Sequence, residues 1–162
     1  MYVDFNELPD NSRIWIYQAE REFCKEEIEI ILSKAIDFID QWTRHGDDLK
    51  GSFTIRYNQF LVIAVDEGFN NVSGCSIDAS VRFVQALEKV LSIDMMDKMK
   101  LAFRSDEHIN LVRMNQFKEF INTHKISRET LVFNNLITSK KELETSWEIP
   151  AKDSWHKRFF FD

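Results

Sequence analysis

Residues 51–66, GSFTIRYNQFLVIAVD, contain two strands of opposite character. The first alternates: Phe53, Ile55 and Tyr57 point one way, Ser52, Thr54 and Arg56 the other, as in a strand with one buried face. The second is apolar at every position from Phe60 to Val65, which calls for burial on both faces. Asn58 and Gln59 lie between them and predict a tight hairpin. An alternating strand suits a sheet edge and an all-apolar strand suits its centre.

Working outward, SRIWIYQ predicts a strand over Arg13 to Gln18, after the turn-like Pro9-Asp10-Asn11. A helical period follows, with Ile28, Ile31, Leu32, Ala35, Ile39 and Trp42 on one face. Cys24 stands at its N-cap position with Glu27 three residues on, where Ser would complete a capping box; the thiol is read as a near-isostere of Ser. Gly46 in TRHGDD suits a left-handed turn closing that helix. Downstream, a helix is expected from about Asp78 to Leu91, with Phe83, Val84, Leu87 and Leu91 inward, then a turn and the strand KLAFRS. The stripe of Met95, Met96 and Met99 reads as core filling.

Strand, helix, strand, strand, helix, strand is the order of the split βαβ, or ferredoxin-like, α+β fold. Its central strands would be IWIY and LVIAV, the two most apolar. Residues 1–105 are therefore expected to form a ferredoxin-like domain, with 106–162 as an accessory α+β segment packed on it. That segment shows a strand INLVRM, a short helix from Asn115 to His124, strands around Asn134-Asn135 and a helix beginning at Ser139. Helices cover one face of such a sheet, so the other face of FLVIAV needs a cover. The tail SWEIPAKDSWHKRFFF, with Trp147, Trp155 and Phe159 to Phe161, is expected to shield it; a second subunit is the alternative, which leaves a homodimer open.

Composition narrows the function classes. At 162 residues, with 44% hydrophobic and 30% charged residues, the chain can bury a full core. Residues 1–105 hold 12 Lys and Arg against 18 Asp and Glu, and residues 106–162 hold 9 against 9. No run of Lys and Arg offers the footprint that nucleic acid requires, so no nucleic-acid partner is expected. No apolar run reaches membrane-spanning length, and MYVDFNELPDNSR has no signal-peptide character, so a cytoplasmic protein without membrane attachment is expected. Cys24 and Cys75 have no Cys or His at ligand spacing, which predicts reduced thiols, no bound metal and no cofactor.

Three stretches, NELPDNSRIWIYQAER, GSFTIRYNQFLVIAVDE and SGCSIDASVRF, together resemble a family of short bacterial proteins with no established activity. The likeness runs over most of the chain, including TLVFNN and the SW near its end, and it implies a shared fold. Some members carry the automatic label of ABC-transporter ATPase. The label fails on the residues: a Walker A loop needs a glycine followed directly by lysine, and none of Gly46, Gly51, Gly68 and Gly74 precedes one.

Chemistry, where there is any, is expected at VDEGFNNVSGCSIDASV. A buried strand leading into a helix N-terminus presents backbone N–H groups and positive partial charge, a setting for anions. Asp66, Ser73, Gly74, Cys75, Ser76 and Asp78 crowd this point. Two readings follow. The leading one is a non-catalytic module that binds a small anionic ligand or a protein partner through the 66–80 loop. The alternative is a thiol-dependent hydrolase or acyl transferase, with Cys75 as nucleophile and His45 as base. The plainest view of the same residues is that Ser76 or Asp78 caps the helix, Cys75 packs under the loop and Asp66 braces it.

Overall fold

The computed structural model describes residues 1–161. The protein is α+β, with antiparallel sheets and, among the described residues, four α-helices. It divides into two compact units. One comprises Met1–Met96 with the short return Thr138–Lys140; the other comprises Asp97–Ile137 and the chain from Lys141 on.

The first unit is built on residues 51–66. Strands β1 (Arg13–Gln18), β4 (Gly51–Arg56) and β5 (Phe60–Val65) form a sheet in the order β1-β5-β4, antiparallel at both seams. Trp15 faces Ile63 across one seam and Phe53 faces it across the other. All six residues of β5 are fully buried, as its unbroken apolar run requires. The turn lies one residue earlier than expected: Tyr57 and Asn58 both take positive φ (53° and 52°), Gln59 N–H donates to Arg56 O at 3.0 Å, and Tyr57 is exposed rather than inward.

Helices α1 (Lys25–Asp40) and α2 (Gly74–Leu91) cover one face of this sheet. Ile31, Ala35 and Ile39 from α1 and Val84, Leu87 and Leu91 from α2 meet Leu61, Ile63 and Val65, with Trp42 and Met95 in the same cluster. Met96 packs at its margin while Met99 is exposed, so the methionine stripe is core filling only in part. Phe60, Val62 and Ala64 point to the other face. The N-terminal 3-10 turn Phe5–Glu7 contributes to the cover there. Phe5 is buried, and the Arg56 guanidinium, on that face of β4, stands 5.9 Å from its ring. Lys140 holds the same segment, its Nζ donating to Leu8 O at 2.6 Å. The sequence leads one to expect this cover from residues 106–162 or from a second subunit; the N-terminal turn supplies part of it.

The ferredoxin-like expectation needs correction at its fourth strand. β6 (Lys100–Ser105) does not join β1. It lies in a second sheet, with β7 (His108–Arg113), β8 (Leu131–Phe133) and β9 (Glu148–Pro150) in the order β7-β6-β8-β9. The reason is local. Asp106 and Glu107 both adopt positive φ (51° and 67°), closing a two-residue turn that pairs all six residues of β6 with β7. A partner two residues away closes a far smaller loop than β1 would. The outer edge of β1 is taken instead by Thr138–Lys140, where Ile14 N–H donates to Thr138 O at 3.0 Å and Lys140 N–H to Ser12 O at 2.8 Å. Strand 100–105 therefore belongs to the second unit.

That unit has its own core: Leu101, Phe103, Phe117, Ile126, Val132 and Ala151. Phe117 comes from α3 (Met114–Asn122), close to the helix expected from Asn115 to His124. α4 (Lys140–Thr145) starts directly after Ser139, as expected. Among the described residues, no helix is long and apolar enough to cross a membrane.

Candidate functional site

The segment from Asp40 to the β4 strand does not simply end a helix. α1 stops at Asp40, and Thr43–Arg44 (β2) and Asp47–Asp48 (β3) form a small hairpin whose turn is His45 (φ 51°) and Gly46 (φ 89°). His45 is thus held at the tip of a turn in left-handed backbone that favours glycine, a conformation that costs a non-glycine residue about 1 kcal/mol or more.

α2 begins at Gly74, four residues before the expected start at Asp78. Ser73 is the cap: its backbone is extended (ψ 170°) and its Oγ accepts the Ser76 N–H at 3.2 Å. Ser76 is turned inward. Its hydroxyl donates to Thr43 O at 2.9 Å and lies 2.9 Å from Ser73 Oγ, while Trp42 Nε1 donates to Ser76 O at 2.9 Å. Ser73 and Ser76 therefore fasten the β2–β3 hairpin and the end of α1 to the start of α2, and their polar atoms are occupied inside the fold. Cys75 lies in the first turn of the helix and is exposed, not packed under the loop. Asp66 braces the loop: Oδ1 accepts Gly68 N–H at 2.9 Å and its carbonyl accepts Phe69 N–H at 3.2 Å. Asp78 is exposed one turn into the helix and caps nothing.

One depression forms where these elements meet. It encloses ≈ 510 Å³ and is lined by Phe38, Gln41, Trp42, Thr43, His45, Gly46, Cys75 and Ala79. His45 and Cys75, 30 residues apart in sequence, thus border the same space. Asp66, Ser73, Gly74, Ser76 and Asp78 do not line it. Its aromatic wall is built of packed rings. Phe38 stacks on Phe83 with ring centroids 4.6 Å apart and packs against Trp42 at 5.3 Å, and Trp15 meets Trp42 edge-on at 6.1 Å. Such ring pairs add about 0.5–1.5 kcal/mol beyond the area they bury.

Phe38, Gln41 and Thr43 escaped the sequence reading. Phe38 and Gln41 sit one helical turn apart, just off the stripe that ends in Trp42, so they read as the flank of a core face. Near Asp66, Glu67 lies 3.5 Å from Arg13, with both side chains well exposed, a pair of small energetic weight. Among the described residues, no three His, Cys, Asp or Glu side chains are placed to hold a metal ion together.

Comparison with protein-family models, with curated proteins and with solved structures finds no match to this chain. The class is therefore stated from the fold and the site alone: a two-unit α+β protein with an aromatic-walled depression beside the N-terminus of its longest helix.

Proposed function

We propose that this protein is a non-catalytic binding module for a small anionic ligand with an apolar body, taken up at the depression between the β2–β3 hairpin and the start of α2. One observation carries the reading: a single space combines an aromatic wall, Phe38 and Trp42, with a polar rim of Gln41, Thr43, His45 and Cys75. Binding sites for small molecules have this make-up, mostly apolar with a few polar groups that set orientation. Cys75, on the rim, lies in the first turn of α2, whose first backbone N–H groups have no acceptor within the helix and give this end positive character. The first unit keeps the strand order of the first three strands of a split βαβ unit, and we read it as a ferredoxin-like module whose fourth-strand position is filled by Thr138–Lys140.

The test is a thermal-shift screen of carboxylate and phosphate metabolites against the full chain and against His45→Ala and Phe38→Ala. A compound that raises the melting temperature of the full chain, and loses that effect in both variants, supports the module. A screen without any stabilising compound, or hits indifferent to both variants, overturns it.

A second reading is kept because Cys75 and His45 border one space. The thiolate of Cys75 would attack an acyl carbonyl after His45 takes its proton; the leaving group would depart reprotonated by the imidazolium, and water would release the acyl group. Alkylation of Cys75 by iodoacetamide, followed against pH in a Cys24→Ser background, separates the two. A rate that rises only towards pH ~8.5 marks an ordinary thiol and removes the enzyme. A plateau already reached near neutrality transfers the site to it.

A further inference from the structure

The second unit carries a surface on which aromatic rings and cations are layered. α3, the chain that follows it to Arg128, and the 3-10 turn Trp155–Phe159 surround the unit's core. Phe120, Trp155, Phe159 and Phe160 pack against that core and leave part of each ring at the surface. Four exposed cations lie over them. Lys125 Nζ is 4.4 Å from the Phe120 centroid and Lys118 Nζ is 5.7 Å from that of Phe159. The Arg128 guanidinium is 5.6 Å from the Phe160 centroid, and Arg158 stands over both Trp155 (5.9 Å) and Phe159 (5.6 Å). Arg128 also donates to Phe160 O at 3.1 Å.

A ring holds a cation in place by about 0.5–1 kcal/mol at an exposed site and leaves its charge unneutralised. Lys118, Lys125 and Arg158 form no ion pair among the described residues. This is a local exception in an acidic chain, whose net charge is −6. Charge is screened over about 8 Å at physiological salt, so an incoming group senses the patch rather than the whole molecule.

The layering selects among anionic partners. A nucleic-acid single strand stacks bases on open ring faces, but here cations lie over the rings. A lipid surface is entered by apolar side chains projecting beyond the charges, whereas Phe159 and Phe160 lie beneath theirs. Carboxylates need neither: they meet the cations directly, and apolar neighbours reach the exposed ring edges. We propose that this surface docks an acidic, partly apolar segment of a partner protein, its carboxylates placed on Lys118, Lys125 and Arg158. The inference is independent of the depression in the first unit.

The experiment titrates a fluorescent Glu-rich peptide with interspersed Leu against the full chain by anisotropy. Expected is binding that weakens about tenfold or more as NaCl rises from ~0.05 to ~0.5 M. The triple variant Lys118→Glu, Lys125→Glu, Arg158→Glu should lose about as much at low salt while melting like the parent. Should that variant fail to fold, Lys118→Gln, Lys125→Gln, Arg158→Gln replaces it. Absence of peptide binding, or binding unchanged in the variants, overturns the proposal. So does tighter binding of oligo-U or of phosphatidylglycerol vesicles than of peptide. A salt-sensitive dimer lost in the same variants, seen by sedimentation, would instead assign the surface to a second copy of the chain.

Discussion

Ser76 in the first unit and Ser154 in the second are both buried, and the two serines have different partners. In the first unit Ser76 is bonded to the Thr43 carbonyl and to Ser73, while its own carbonyl accepts the Trp42 indole. In the second, Ser154 Oγ lies 2.7 Å from His156 Nδ1. His156 is only 1% exposed, stacked on Trp155 at 4.1 Å and beside Phe117 at 5.6 Å. Both arrangements satisfy buried polar atoms, as a low-dielectric interior demands. The first has no titratable member; the second has one, so proton concentration should act on the two units unequally.

The largest effect expected is on the separation of the units themselves. A chain ended after Met96 keeps every strand of the first sheet but loses Thr138–Lys140 from the edge of β1. Ile14 N–H and Ser12 O would then be free to pair with another molecule, the usual hazard of an open edge. Sedimentation velocity should show such a chain self-associating. A monomer as stable as the full chain would mean that the edge needs no cover.

Acid should act next, through His156. Burial pushes its imidazole from 6.5 down to about 4. Between these values the unfolded chain binds a proton that the folded chain does not. Stability is therefore fully present above about pH 6.5 and falls as pH drops towards 4, by up to about 3 kcal/mol. Urea unfolding at pH 7.0 and 4.5 should show this loss, and His156→Gln should flatten it. An equal loss in the variant would place the acid sensitivity elsewhere.

Ser76→Ala tests the other half of the comparison. It removes the bond to Thr43 O and leaves that carbonyl without this donor, at a cost of about 1–3 kcal/mol. Because no member of the network titrates, the cost should be the same at pH 7.0 and 4.5. A cost that changed with pH would break the contrast between the units.

What the sequence disclosed follows the same division. β5 was legible because six consecutive apolar residues have only one physical solution, and β4 because its alternation is regular. The start of α2 was placed four residues late because SGCSID offers three competent caps, Ser73, Ser76 and Asp78. The choice falls to Ser73 only once Trp42 and Thr43 draw Ser76 inward, a contact 33 or 34 residues away in the chain. The partner of β6 was misjudged because a tight hairpin is signalled by Asn or Gly, and Asp106-Glu107 carries neither. Of the candidate site, the sequence named Cys75 and His45, which share the depression. It also named Asp66, Ser73 and Ser76, whose polarity is spent on holding the loop.

The smallest effects concern two turns, one with a glycine and one without. His45-Gly46 and Asp106-Glu107 each place two successive residues at positive φ, and only the first turn has a glycine, at φ 89°. Glycine takes such backbone without a steric penalty, whereas other L-residues lose about 1–2 kcal/mol there. A Cβ built on Gly46 meets nothing within 4 Å, so the cost of Gly46→Ala is purely conformational, about 1 kcal/mol. Glu107→Gly is the mirror experiment. Glu107 is exposed, and its one contact in the turn is a backbone carbonyl that accepts from Arg104 at 3.3 Å and survives the substitution. Relieving the strain should raise stability by about 0.5–1 kcal/mol, less what the freer unfolded chain regains. Urea midpoints measured for both variants should move in opposite directions. A destabilising Glu107→Gly would show that the entropy regained by the unfolded chain outweighs the strain relieved in the turn.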